Sequence, residues 1–216
     1  MNAAREEMLR RVGAALAATP RRPPAAPGPP AYRRSDERAG DDLLDLLADR
    51  LEDYGARVQR VRADTKEIAA AIGDACRLRG TRRVVIPADL PPAVLPEDVE
   101  AVVDAQLSAR DLDAVDGVVT GCALAIAETG TIALDGGFAQ GRRALTLLPD
   151  HHVCVVHADQ VVGLVPEAIE ALRRGVVEDR RPITLISGPS ATSDIELRRV
   201  EGVHGPRKLD VILVSN

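Results

Sequence analysis

Aromatic side chains are scarce in this chain of 216 residues, which has no tryptophan and only Tyr32, Tyr54 and Phe138. Because the bases of single-stranded nucleic acids stack on aromatic rings, this scarcity argues against that class of ligand. The net charge is -5, so the chain has no excess of basic residues of the kind that binds DNA or an anionic membrane. We therefore expect no nucleic acid among the partners, and a core built from valine, leucine, isoleucine and alanine.

Cysteines are also few, and Cys76, Cys122 and Cys154 lie far apart without any Cys-x-x-Cys pair. That spacing cannot assemble an iron–sulfur cluster or a zinc knuckle. No apolar run approaches the ~20 residues that cross a membrane, and the first residues are too charged for a signal peptide. We expect a cytoplasmic protein with no membrane span, and no metal or other cofactor on this chain.

The first 31 residues differ in composition from the rest. Residues 3–18 carry apolar side chains on one face, which predicts a short amphipathic helix. The stretch from Pro20 to Pro30 contains six prolines and is typical of a stiff linker. We therefore divide the chain into residues 1–31, a helix with its linker, and residues 32–216, one domain. The helix is expected to act as an arm that packs on the body or on another chain.

Short apolar runs alternate with helical patterns through the larger part. This alternation predicts an α/β fold with an open, mostly parallel sheet flanked by helices. The expected helices cover residues 36–54 with Ser35 as N-cap, 64–79, 96–105 and 165–174. The expected strands cover residues 57–61, 83–87, 116–119, 131–134, 153–156, 184–187 and 211–214.

The segment from Ala127 to Thr131 is polar and lies between two apolar runs, so Glu128 is expected at or near the end of a strand. Ligands bind at strand ends in open α/β sheets, and a carboxylate there can act as a general base or as a nucleophile towards an acyl group. A surface turn with a solvated Glu128 explains the same pattern without a ligand. Glu128 is the catalytic candidate, with Thr129, Gly130 and Thr131 as binding candidates.

A second polar segment, residues 188–194, follows an apolar strand and precedes a helical-looking run. A strand, then glycine and hydroxyl residues, then a helix is an arrangement that presents backbone N–H groups to an anion. An N-cap that needs no ligand is the alternative, and Asp194 also suits a helix terminus. The ligand-binding candidates here are Gly188, Ser190, Thr192 and Asp194.

The loop from Gly202 to Arg207 places an imidazole and a guanidinium three residues apart. The pair His204 and Arg207 suits a carboxylate or a phosphate, although a histidine that bonds only to the loop backbone fits as well. Arg143 is a further candidate, because a guanidinium grips a carboxylate at two points.

The run from His151 to His157 contains four soft ligands, but its apolar pattern is that of a strand. Alternate residues of a strand face opposite ways, so each face carries only two of them. We therefore predict no metal site there. Cys122 has no charged neighbour in sequence to activate it and is expected in the core.

The order and spacing of these clusters resemble the LutC/YkgG family, the lactate utilisation (LUD) domain proteins. Residues 120–131 look like the family's IAETGT signature, and residues 143–149 resemble its R-x-x-S/T-L-L-P element. Residues 188–196 and 202–207 are similar to its closing GPS-x-T-x-DIE and G-x-HGP stretch. The resemblance covers about residues 115–214 and implies a fold of the NagB/RpiA/CoA-transferase type.

The resemblance also implies a role in L-lactate utilisation, in which three proteins together oxidise L-lactate to pyruvate. The partners would be a cysteine-rich, LutA-like subunit and a LutB-like subunit with ferredoxin-type motifs, so iron–sulfur clusters are expected on partner chains. A small carboxylate is the implied ligand. Two alternatives stay open: a stand-alone CoA-transferase-like enzyme that uses Glu128 on acyl or phosphorylated small molecules, and a non-catalytic assembly or ligand-sensing subunit.

Overall fold

The computed structural model describes residues 3–18, 32–193, 199–201 and 204–215. The chain divides into two compact units, Met1–Arg33 and Arg34–Asn216. The first unit contains helix α1 (Ala3–Ala18). Within the described ranges, no helix is long and apolar enough to cross a membrane.

The second unit is built on a six-stranded sheet in which every pair of neighbours is parallel. Its strands, in spatial order, are β1 (Arg57–Arg62), β12 (Lys208–Ser215), β7 (His151–His157), β4 (Gly117–Thr120), β2 (Arg83–Ile86) and β3 (Glu100–Val103). The predicted α/β fold with an open parallel sheet is confirmed.

The structure also contains a smaller, mixed sheet of four strands, which was not predicted as a separate sheet, although two of its strands were expected at residues 131–134 and 184–187. In spatial order it consists of β8 (Val161–Val162), β5 (Leu124–Ile126), β6 (Thr131–Leu134) and β9 (Thr184–Ile186). Strands β5 and β6 form an antiparallel hairpin, and β9 pairs antiparallel with β6. A further antiparallel pair joins β10 (Ala191–Ser193) to β11 (Arg199–Glu201).

Helices cover both faces of the main sheet, and their bounds are α2 (Asp41–Asp53), α3 (Thr65–Arg79), α4 (Ala109–Asp113) and α5 (Val165–Val177). Alternate residues of β7 face opposite layers: Val155 packs in the cluster that contains Ile72 of α3, and Cys154 in the cluster that contains Leu47 of α2. Helix α3 begins as predicted, with the Asp64 carboxylate accepting from the backbone N–H of Lys66.

The predicted start of α2 was wrong. Ser35 does not cap the helix, which begins at Asp41 after Gly40. The reason is Asp36, whose side chain is almost fully buried and accepts hydrogen bonds from the backbone N–H and the guanidinium of Arg38. This local turn competes with helical hydrogen bonding over the first residues.

The predicted helix at residues 96–105 was also wrong. Strand β3 occupies part of it and pairs with β2 from Glu100 to Val103. The β-branched residues Val99, Val102 and Val103 suit a strand at the edge of a sheet better than a helix. The short helix α4, capped by Ser108, was missed because its five residues are too few to show a helical period.

A buried ionic network joins the amino-terminal ends of β1, β7 and β12. The carboxylate of Asp210, which is 1% exposed, accepts hydrogen bonds from Arg57 Nη1 at 3.2 Å and Arg79 Nε at 2.9 Å. His151 Nε2 lies 3.1 Å from the same carboxylate, and His151 Nδ1 lies 2.8 Å from Thr81 Oγ1. Burial alone would raise the pKa of Asp210, but the hydrogen bonds from His151 and Arg79 lower it. The carboxylate therefore stays charged and holds the three strands together.

Replacing this carboxylate should destabilise the fold. We expect Asp210→Asn to lower the free energy of unfolding at neutral pH by about 3 kcal/mol, because buried partners lose their counter-charge. The folded pKa lies below the unfolded value of about 3.9, so the stabilisation is present above that pH and is lost as pH falls through the folded pKa. Urea denaturation followed by circular dichroism across this pH range measures both effects.

Asp45→Asn is the matched control, since Asp45 pairs with Arg60 at the surface and is 67% exposed. Exposed ion pairs contribute about 1 kcal/mol or less. Equal losses of stability in the two variants would contradict a special role for Asp210.

Candidate functional site

Glu128 lies in the turn between β5 and β6, in the smaller sheet. It therefore lies near the end of a strand, as expected, but that strand is not part of the open parallel sheet. Its backbone N–H donates to the Gly163 carbonyl at 3.1 Å, and its side chain is exposed. The pKa of Arg38 is raised mainly by its hydrogen bond to Asp36, and the charge of Glu128 adds to this effect. Glu128 therefore lies near the segment that precedes α2.

A row of hydroxyl groups leads away from this turn. Thr129 Oγ1 lies 2.8 Å from Thr131 Oγ1, which in turn lies 2.7 Å from Ser187 Oγ. Thr131 is buried, whereas Ser187 follows β9 and is exposed. The row links the β5–β6 turn to the loop after β9.

Two of the glycine candidates are required by packing on the end of α2. Gly130 has φ +56, and a Cβ atom there would lie 2.7 Å from Arg50 Cβ. Gly188 has φ +96, and its added Cβ would lie 2.7 Å from Tyr54 Cβ. Both backbone conformations favour glycine. These residues let the two polar loops approach α2, and that structural role explains them without a ligand.

Four of the candidates meet at a cavity of about 230 Å³ beside the loop after β9. Arg143, Gly188, Ser190 and His204 all line it. Ser190 fastens two loops together, since its Oγ accepts from the His204 N–H at 3.1 Å and its N–H donates to the Pro206 carbonyl at 2.8 Å. The structure therefore brings these four sequence-predicted residues into one place.

Arg143 is the charged group of this cavity. Its Nη1 donates to the Thr146 carbonyl at 2.7 Å and to Thr146 Oγ1 at 3.0 Å, and its Nη2 lies 3.5 Å from the His204 carbonyl. Among the described residues, no carboxylate lies within 4.0 Å of this guanidinium. Partial burial lowers the pKa of Arg143 from its ordinary value. A partly dehydrated cation that is bonded only to neutral oxygens is suited to hold an anion.

The remaining candidates lie elsewhere. Arg207 forms an exposed pair with Asp150, with Nε 2.8 Å from Oδ1, and does not line the cavity. Thr192 lies in β10, so the glycine and hydroxyl segment leads into a strand and not directly into a helix. Asp194 and the helical-looking run after it lie outside the described residues.

The histidine and cysteine residues make no metal site where the structure can be described. His152 is buried, lines the small cavity and has Nε2 2.8 Å from Thr120 Oγ1. Hydrogen bonding to Cys154, together with burial, raises the pKa of Cys122. A thiol with a raised pKa is a weak nucleophile at neutral pH.

A larger cavity, of about 930 Å³, lies at the carboxyl ends of β4 and β7 and was missed by the sequence reasoning. Gly121, which follows β4 directly, and His157, the last residue of β7, line it together with Phe138. The available signal was the run Gly136-Gly137-Phe138, which places the only phenylalanine of the chain in a glycine-bearing loop. The position agrees with the rule that open α/β sheets bind ligands beyond the carboxyl ends of their strands.

Comparisons with known proteins support the family resemblance of the sequence motifs. The family model of the LUD domain matches residues 38–214. A lactate utilization protein C of Deinococcus radiodurans is 47% identical over 214 residues, which is 98% of this chain and 96% of that protein. The Escherichia coli protein YkgG is 28% identical over 228 residues, covering 98% of each chain. The crystal structure of a DUF162 family protein from Deinococcus radiodurans superposes with a TM-score of 0.69 and 42% identity, covering 81% of this chain and 97% of that one.

The packing role of Gly188 can be tested by adding a methyl group. We expect Gly188→Ala to lower the melting temperature more than Gly55→Ala, as measured by differential scanning calorimetry. Both residues have a similar φ, +96 and +88, but a Cβ at Gly55 meets nothing within 4 Å. The pair therefore separates collision with Tyr54 from backbone strain. Equal melting temperatures for the two variants would show that contact with α2 is unimportant.

Proposed function

Because the chain belongs to the LUD domain family, we propose that it is a component of an L-lactate utilisation system that oxidises L-lactate to pyruvate together with iron–sulfur partner subunits. The 47% identity with a lactate utilization protein C over almost the whole chain supports this role. The proposed binding site rests on one observation: the guanidinium of Arg143 lies at a small cavity and has no carboxylate partner among the described residues.

The small cavity suits a ligand of the size and charge of lactate. Its volume of about 230 Å³ is below the range of roughly 300–1,000 Å³ that holds drug-sized ligands. In the proposed complex Arg143 grips the carboxylate, and the hydroxyl groups of Ser187 and Ser190 lie beside it. The oxidation of lactate to pyruvate releases two electrons and two protons; iron–sulfur clusters on the partner chains would accept the electrons, and the protons would pass to solvent.

The alternative of a stand-alone CoA-transferase-like enzyme receives no support from the geometry. That reaction needs Glu128 beside a bound acyl group. Glu128 lines neither of the two cavities described above. Its exposed side chain lies near the Arg38 segment instead.

An assembly role for α1 is favoured by one observation. Apolar side chains that repeat along this helix are half exposed or more, at 66%, 57%, 50% and 71% for Met8, Leu9, Val12 and Leu16. Exposed apolar stripes of this kind mark interaction surfaces. We propose that the stripe docks on a cluster-bearing partner subunit.

The cellular role is tested by complementation. A strain that lacks the gene should fail to grow on L-lactate as sole carbon source and should grow normally on pyruvate. The wild-type gene should restore growth on L-lactate, and Arg143→Gln should not, because the neutral amide loses the charge that holds the carboxylate. Normal growth of the deletion strain on L-lactate would detach the protein from this pathway. Failure of Glu128→Gln to restore growth would bring Glu128 back as a functional residue.

The docking role of α1 is tested by truncation. A chain that lacks residues 1–31 should keep the melting temperature of the second unit and lose co-purification with the cluster-bearing subunits. The substitution of Met8, Val12 and Leu16 by serine should have the same effect, since it removes the apolar stripe and leaves the chain length unchanged. Retained co-purification of both variants would exclude α1 as the docking element.

A further inference from the structure

The larger cavity is not part of the proposed carboxylate site and differs from it in size and in lining residues. At about 930 Å³ it is several times larger than the cavity at Arg143 and near the upper end of the range for small-molecule sites, roughly 300–1,000 Å³. One wall is apolar and is formed by Ile68 of α3 with Leu90, Ala93 and Val94. A flat, uncharged group can pack against such a wall without losing hydrogen bonds to water.

Two of the polar side chains that line the cavity are neutral carboxamides that are already hydrogen-bonded. Gln140 accepts from the Asp135 N–H at 2.8 Å and donates to Asp135 Oδ1 at 2.9 Å. Gln160 Nε2 donates to the Cys122 carbonyl at 2.8 Å. These carboxamides hold the loops around the cavity in place and add no charge to it.

The charged groups at the end of α5 offer no surplus of positive charge. Arg181 pairs with Asp135 at 3.3 Å and with Asp179 at 2.9 Å, and Arg174 pairs with Glu178 at 3.0 Å. Three carboxylates thus face two guanidinium groups, and the carboxyl end of a helix adds partial negative charge. A phosphorylated ligand would meet repulsion here, so the electrostatics favour an uncharged one.

Phe138 supplies a stacking surface at the cavity. It lines the cavity and is 70% exposed, although it is the only phenylalanine of the chain. The next residue, Ala139, has φ +57, which is strained for a residue with a Cβ atom. Two hydrogen bonds hold this strained residue: its N–H donates to Asp89 Oδ2 at 3.0 Å, and its carbonyl accepts from the Gly121 N–H at 2.7 Å. The loop therefore keeps the ring at the cavity and out of the core.

We propose that this cavity binds an uncharged small molecule with a flat ring, which stacks on Phe138 and packs against the apolar wall. The ring of a flavin, a nucleoside or a quinone has this chemistry. The proposal does not depend on lactate as the ligand of the other cavity.

The absence of tryptophan makes a direct test possible. Phe138→Trp keeps an aromatic ring and provides a single fluorescent reporter, which is titrated with riboflavin, adenosine and 2,3-dimethyl-1,4-naphthoquinone. At least one of the three should quench this tryptophan with saturation below about 1 mM. The phosphorylated counterparts, flavin mononucleotide and adenosine monophosphate, should bind about tenfold more weakly or worse than the matching uncharged compound.

Three further variants serve as controls for the site. Ile169→Trp places the reporter on α5 at a residue that is 58% exposed and does not line the cavity, so its fluorescence should not saturate. In equilibrium dialysis, Phe138→Ala should weaken binding of the same compound at least about fivefold. Ala171→Phe, which narrows the cavity from the α5 side, should abolish binding. Circular dichroism confirms that each variant is folded.

Three results would overturn the proposal. The first is an absence of saturable quenching of the tryptophan at position 138 by all three uncharged compounds. The second is unchanged affinity in Phe138→Ala, and the third is tighter binding of a phosphorylated compound than of its uncharged counterpart. None of these results bears on the role of Arg143.

Discussion

The rest of the domain depends on the hydrogen bonds and ion pairs that the buried carboxylate of Asp210 forms. It lies on β12, between β1 and β7, and it binds groups from both neighbouring strands as well as Arg79 at the end of α3. Parallel pairing then runs from Lys208 opposite His151 to Val214 opposite His157 without a break. Because successive residues of a strand pair in order, fixing the amino-terminal ends also fixes where the carboxyl ends lie.

Strand β7 connects the Asp210 network to both cavities. His151 belongs to the network, its neighbour His152 lines the small cavity, and His157 at the far end lines the large one. Five residue steps along a strand span about 16 Å, so the two cavities are separate sites on one rigid element. A carboxylate held by Arg143 and a flat ring held by Phe138 would therefore not compete for space.

The helices and strands that show a regular residue pattern in the sequence were predictable. Apolar runs of four to six residues predicted five of the six parallel strands, all except β3, and Asp64 predicted the start of α3, because both patterns follow from local rules. The smaller sheet was predicted only in part: its strands β6 and β9 were expected, but β5 (Leu124–Ile126) and β8 are too short to show alternation. The position of Glu128 near the end of a strand was predicted, but the sheet was not, because a hairpin turn and the end of a parallel strand look alike in sequence.

The candidate sites were also predictable from the sequence only in part. The resemblance to the LUD domain family is confirmed, and its loop residues Arg143, Gly188, Ser190 and His204 do meet at one cavity. Sequence alone could not show that packing against α2 accounts for Gly130 and Gly188, because Arg50 and Tyr54 lie far from them along the chain. The loop at Phe138 was missed because its strained residue is an alanine, and alanine carries no sequence signal for a left-handed backbone.

Titration calorimetry with L-lactate shows whether Arg143 anchors a small carboxylate. We expect binding to the wild-type chain, a loss of at least about tenfold in affinity for Arg143→Gln, and little change for Arg207→Gln, whose guanidinium already pairs with Asp150. Unchanged affinity in Arg143→Gln, with the loss in Arg207→Gln instead, would exclude Arg143 as the anchor and identify Arg207 in its place.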